Sequence, residues 1–250
     1  MKQNHPFTLR HTLIFVAVAV IVITLLVRYG HIFQSHPVSG NTDLLVPGIQ
    51  VKQEPREITF RGCPPEGSGG DEELNRLKNR VDEGSYQAVK FDPLRNLSWP
   101  HAVERRKRSE WASDLKSEIA RNEGDPIAVE GYLLRVKEEG PESPNCRRED
   151  PDFRDFHIWL AYSPDDEESS AIVVEITPRI RIQHPSWNLQ KIRTIIRERV
   201  SVRISGWLLF DQEHPDQVGK SRATLWEIHP IMKIEVHHNG EWIPLDNLPA

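Results

Sequence analysis

The chain is poor in the features that announce chemistry. Only two of its 250 residues are cysteine, Cys63 and Cys146, and neither stands in a CxxC or Cys/His spacing, which excludes a zinc ribbon or finger. There is no GxSxG elbow, so a serine hydrolase of the elbow type is excluded. There is no glycine-rich phosphate loop, and no HExxH or HxH pair of histidines. Net charge is also small: 32 Lys and Arg against 37 Asp and Glu give a formal −5. It is unevenly spread, because from Asp125 onward 15 basic residues face 22 acidic ones, a balance of −7. An acidic domain repels phosphate backbones, which argues against sequence-independent binding of nucleic acid.

What is present begins with one apolar run. Thr12 to Val27 carries no charge, and as a helix it covers ~24 Å of a hydrocarbon core about 30 Å thick. If Arg28 snorkels to the interface, Tyr29 to Phe33 continue the helix and bring the span to about 33 Å. Lys2 and Arg10 precede the run, and after Arg28 no Lys or Arg occurs until Lys52. That bias places the N-terminus in the cytoplasm and the rest outside it, as a single-pass protein of the cell inner membrane bound to the bilayer through residues 12–33. The rival reading is a cleaved signal peptide, for which Val38-Ser39-Gly40 is a poor and distant cleavage site. Either reading exports the domain. There Cys63 and Cys146 can form a disulfide, or remain free thiols.

With 19 Pro, 14 Gly and a low apolar share in the first half, the chain reads as one compact domain behind a long lead. The expected organisation is a cytoplasmic tip and transmembrane anchor over 1–33, a flexible stalk over 34–57, a helical lead over 58–124 and a barrel over 125–250. In the lead, Ile58 to Phe60 suggest a short strand. Leu74, Leu77 and Val81 suggest a helix over 71–83, capped by Ser68 or Asp71. Trp111, Leu115 and Ile119 suggest a second helix from Val103 to Asn122. Its opening, Glu104-Arg105-Arg106-Lys107-Arg108, admits a nucleic-acid or acidic-lipid reading, but four basic residues flanked by Glu104 and Glu110 more often form a solvated face.

From Ile127 the pattern turns to period two. Ile127 to Lys137 is a strand with Gly131 at a bend. Phe156 to Tyr162 and Ile172 to Thr177 form a hairpin. Ser186 caps a helix carrying Leu189, Ile192, Ile195 and Ile196. Two long strands follow between Val200 and Val236. The fold class is therefore mainly β with flanking helices: a five-stranded, OB-like Greek-key barrel of order β-β-β-α-β-β behind an N-terminal transmembrane helix.

The runs RGCPPEG, LNRLKNR, ERRKRSEW, AVEGYL, DFHIWL, ISGW and TLWEIHPI resemble an uncharacterised group of bacterial single-pass membrane proteins with an OB-fold-like C-terminal domain. The resemblance implies placement and fold, and carries no activity or binding residues.

OB-folds hold ligands across their second and third strands, between the loops joining strands one to two and four to five. The outward row there is His157, Trp159 and Ala161, set opposite Thr177, Glu175 and Val173. Trp159 is placed to stack a base or sugar, or else to pack under a loop. Glu227 and His229 share a strand face; a wider metal or acid/base site of His157, His184, His214 and His229 with Asp211, Glu213, Asp216 and Glu227 is disfavoured, because none has ligand spacing and His184, His214 and His229 each precede a proline, the mark of a turn or strand end. The site residues expected are thus His157, Trp159, Glu175, Glu227 and His229, with no catalytic residue, metal or cofactor. The expected function is a membrane-anchored, exported binding module without catalysis, meeting a protein or small ligand on strands two and three. A nucleic-acid-binding OB-fold is the alternative, and a metal-dependent hydrolase using the barrel histidines the third reading.

Overall fold

A computed structural model describes Leu44 and residues 52–248. The expected membrane segment and most of the expected stalk lie outside the described residues. Among the described residues no helix is long and apolar enough to cross a membrane.

The described chain is mainly β. Its strands are β1 (Gln87–Val89), β2 (Pro126–Glu138), β3 (Phe156–Ala161), β4 (Ile172–Ile176), β5 (Ser201–Phe210), β6 (Trp226–His238) and β7 (Glu241–Pro244). The helices are α1 (Glu72–Lys78), α2 (Phe91–Arg95), α3 (Ser113–Ile119), α4 (Pro178–Arg181) and α5 (Leu189–Glu198). Five strands close into a barrel in the order β2-β3-β4-β6-β5, with β5 pairing back onto β2. Every barrel pair is antiparallel except β4 with β6. The short β1 adds to β2 in parallel, and β7 folds back on β6 through Asn239 and Gly240, both at positive φ. Neither of these two strands is expected from the period-two pattern.

Closure depends on β2 changing partners. Its first half, Pro126 to Tyr132, pairs with β5, and its second half, Tyr132 to Glu138, pairs with β3. Gly131 lies at the crease, as the sequence suggests. A Cβ there would lie 2.4 Å from the Ala161 carbonyl oxygen, so no larger residue fits without moving backbone. Gly206 is the matching crease on β5, where the ladder to β6 shifts and a Cβ would lie 2.3 Å from the Pro230 carbonyl oxygen.

Val129, Ile158, Val174, Ile204 and Ile228, one from each barrel strand, are buried in a single core. Ile192 and Ile195 of α5 close one end of it. The cap of α5 is Asn188, whose side chain accepts from the Lys191 N–H at 3.0 Å. Ser186 is not the cap, because its hydroxyl donates to Asp246 instead.

The lead departs further from expectation. α1 is capped by Asp71 and stops at Lys78, short of residue 83. Ile58 to Phe60 form no strand, only one bridge from Phe60 to Cys63. The helix expected from Val103 to Asn122 is absent except for α3. Arg105 has a φ of 56°, outside the helical region, and its N–H donates to the Gln212 carbonyl at 2.8 Å. Arg108 is drawn inward, with its guanidinium on both Glu123 oxygens at 2.7 Å and on the Phe210 carbonyl at 2.6 Å. The basic strip therefore splits, with Arg105, Arg106 and Lys107 exposed and Arg108 buried. The C-terminal end of the expected stalk is tied down as well: Lys52 pairs with Asp125 at 2.9 Å, and the Arg56 N–H donates to Asp82.

Cys63 and Cys146 are joined by a disulfide that spans 83 residues of sequence. It pins the start of the lead to the β2–β3 loop, and Phe60 and Phe153 pack edge-to-face beside it.

Candidate functional site beneath two loops

On β3 and β4 the inward pairs are Phe156 with Ile176, Ile158 with Val174 and Leu160 with Ile172. This register sets His157 opposite Glu175 and Trp159 opposite Val173. The sequence reading placed Trp159 opposite Glu175, two residues out of step. Thr177 falls beyond the ladder, where it becomes the N-cap residue of α4. In the parallel pair Val173 lies beside Glu227 and Val174 beside Ile228, so the same progression brings Glu175 next to His229.

Four of the five expected site residues thus meet in one cluster. His157 Nδ1 lies 2.9 Å from Glu175 Oε1 and 3.6 Å from Glu139 Oε1. His229 Nδ1 lies 3.3 Å from Glu175 Oε2 and 3.6 Å from Glu227 Oε2. Trp159 stands beside the cluster, its ring 4.3 Å from that of His157. Its indole N–H donates to the Ser221 carbonyl, and Arg135 covers its face at 4.9 Å. It packs under a loop, and its ring is not open for stacking a base.

The cluster is closed. Glu175 is 5% exposed, and Glu227 and His229 are each 1% exposed. The cover comes from three directions: the β2–β3 loop supplies Glu139, Glu142, Asn145 and Asp155, the β5–β6 loop supplies Asp211 and Arg222, and α1 supplies Lys78. Lys78 pairs with Asp211 at 2.9 Å, and Arg222 pairs with Glu227, all four side chains being buried. Asn145 donates to Asp155 Oδ1 at 3.0 Å. Arg179, fully buried, spends its guanidinium on the carbonyls of Cys63 and Pro64 and on the amide oxygens of Asn79 and Asn145.

The electrostatics follow from crowding carboxylates in a dry place. Burial, then the Glu175 and Asp155 carboxylates, push Glu142 up to about 9. Burial and Glu175 push Asp155 up to about 6. For Glu175 burial works upward too, but the imidazoles of His229 and His157 outweigh it and hold the acid below its ordinary range. At Glu227 the same desolvation is overcome by Arg222, which holds it well below.

Sequence reasoning missed Asp155, Glu142, Lys78 and Arg222. The legible signal was Glu175 and Glu227, each a carboxylate within an otherwise apolar strand run; a buried charge there requires partners. The remaining histidines of the wider set, His184 and His214, stand apart from the cluster. His184 binds Asp246, and His214 sits half-buried 3.9 Å from Asp211. No protein-family profile, curated protein or solved structure matches the chain.

Proposed function

We propose that the protein is an exported, membrane-tethered OB-fold that works as an interaction module and not as a catalyst. The strand order, with α5 between the third and fourth barrel strands, supports the OB assignment. The disulfide supports an oxidising compartment, and the apolar run Thr12 to Val27 supports the tether.

The observation that carries the reading is that the face where OB barrels hold ligands is filled from within. The two loops that flank an open OB groove fold over it here, and their own side chains complete the cluster. A closed face offers no path for substrate to His157 or His229. Of the two features that favour nucleic acid, Trp159 is engaged with Ser221, and the basic strip Arg105 to Arg108 is broken up, with Arg108 buried on Glu123 and Arg105 paired with Asp216. One surface open to a partner among the described residues is a groove of about 510 Å³ between β1, α2 and the end of β3, lined by Ala88, Lys90, Phe91, Tyr162 and Arg203. Tyr162, 64% exposed, is its most prominent aromatic side chain.

The test is topology together with ligand exclusion. A reporter active only outside the cytoplasm, fused after Ala250, should be active, and Cys63 and Cys146 should resist maleimide until reduced. Full-length protein should not retain a fluorescent single-stranded oligonucleotide at low salt. Saturable, salt-sensitive retention would replace this reading with the nucleic-acid one.

A further inference from the structure

The buried cluster holds more acid than its basic residues neutralise. Lys78 is committed to Asp211 and Arg222 to Glu227. That leaves Asp155 and Glu175, both buried, with no Lys or Arg within 4.0 Å among the described residues; the ionic contacts of Glu175 are to His157 and His229 alone. Two buried carboxylates with no Lys or Arg to pair with are costly.

The donor atoms are arranged for a different solution. Asn145 occupies Asp155 Oδ1 and leaves Oδ2 buried with no hydrogen-bond partner among the described residues. His157 occupies Glu175 Oε1, and Glu175 Oε2 faces His229. Among the described residues neither ring nitrogen of His229 has a hydrogen-bond partner, although the residue is 1% exposed. One donor atom each from Asp155, Glu175 and His229 lies within 4.8 Å of the other two. Glu227 Oε2, also unpartnered, lies 3.6 Å from His229 Nδ1. Ligands about 2.0–2.1 Å from a tetrahedral ion stand roughly 3.3 Å from one another, and Glu175 Oε2 is 3.3 Å from His229 Nδ1.

We propose that Asp155, Glu175 and His229 bind a divalent first-row transition ion, with Glu227 as the available fourth donor. A mixed set of one imidazole and carboxylates, without thiolate, suits zinc or manganese. It does not suit calcium, which takes six to eight oxygens. Asn145 and His157 are the positioning residues, each holding one oxygen of a ligand so that the other points inward. Because the site is closed, the ion is structural. It joins the end of the β2–β3 loop to β4 and β6 and neutralises two carboxylates at once. This inference rests on the cluster alone and stands or falls apart from the interaction-module reading.

The experiment uses the full chain purified without chelator. Elemental mass spectrometry should find about one equivalent of zinc or manganese per chain. Stripping with EDTA should lower the melting temperature, and adding back Zn²⁺ or Mn²⁺ should restore it. Glu175→Gln and His229→Ala should lose the metal, Asn145→Ala should bind it about 10–100-fold more weakly, and His214→Ala should keep it. The wild-type measurements decide the question even if a variant fails to fold. Metal-free wild type whose melting temperature ignores both ions at about 100 µM would overturn the proposal, as would undiminished metal in folded Glu175→Gln and His229→Ala.

Discussion

The Lys78 ammonium lies 2.9 Å from the Asp211 carboxylate, 133 residues away, and both side chains are buried. The pair clamps α1 to the β5–β6 loop. Desolvation works against both charges. Asp211 nevertheless holds Lys78 well above its ordinary range, and Lys78, helped by His214 and Arg222, holds Asp211 below its own despite the opposing charge of Glu227. Removing one partner strands the other, so Lys78→Met or Asp211→Asn should each cost about 3–5 kcal/mol in urea unfolding. The apolar double replacement Lys78→Met/Asp211→Leu should cost less than either.

The pH dependence of this pair has a definite sign. The acid of Asp211 is stronger folded than unfolded, so its contribution is full above about pH 4 and is lost as pH falls through the lower folded value. Lys78 is the mirror case: its contribution is full below about pH 10.5 and is lost as pH rises through the raised folded value. Urea midpoints followed from pH 2 to 6 should fall less steeply in Asp211→Asn than in wild type. Equal slopes would show that Asp211 does not carry the acid limb.

The Cys63–Cys146 bond closes a loop of 83 residues. Cross-links of that span restrict the unfolded chain by about 4.5 kcal/mol. Cys63→Ser/Cys146→Ser should therefore lower stability by roughly 2–4 kcal/mol, read as a drop in melting temperature that reducing agent reproduces in wild type. A loss shared by both would place the effect in the bond and not in the serines.

How far these elements could be read in advance depends on how local their causes are. The inward faces of β2 to β6 follow from alternation, so the closed barrel is legible from residues such as Ile158, Val174 and Ile204. The bend at Gly131 is legible because a glycine mid-strand marks a close approach. The false helix at Val103 arose because Trp111, Leu115 and Ile119 keep helical spacing, while what breaks the helix is distant: Glu123 and Phe210 draw in Arg108, and Gln212 takes the Arg105 N–H. The cluster was half legible. Glu175, Glu227 and His229 stand on strands, where neighbours follow from register, but Asp155 and Arg222 arrive on loops whose path no period records. The hairpin to β7 turns on Asn239-Gly240, a dipeptide suited to a tight two-residue turn, but the strand beyond it is too short to show an alternating pattern.

Asp71 does two jobs with one carboxylate. Oδ1 accepts from the Glu73 and Leu74 N–H groups of α1, and Oδ2 accepts from the Arg108 N–H and the Gln212 amide. An ordinary cap is worth about 1 kcal/mol. Asp71→Ala should cost about 2–3 kcal/mol, because two further donors lose their acceptor. Asp71→Asn should recover only part of this, since its amide NH₂ would face donors. Urea midpoints of the three proteins provide the check.

The two glycine creases are steric limits. Gly131→Ala and Gly206→Ala each press a methyl against backbone carbonyl oxygen, at 2.4 Å from Ala161 and 2.3 Å from Pro230. Each should cost about 1–3 kcal/mol. Gly219→Ala, with nothing within 4 Å but a φ of 74°, isolates the cost of conformation alone and should lose about 1 kcal/mol.

The sulfur bridge also settles what happens when the chain is cut. A protease that severs one peptide bond anywhere between residues 64 and 145 leaves two fragments that cannot diffuse apart, because residues 63 and 146 still hold them together. The severed molecule would keep its mass on a non-reducing gel and come apart only when a thiol is added.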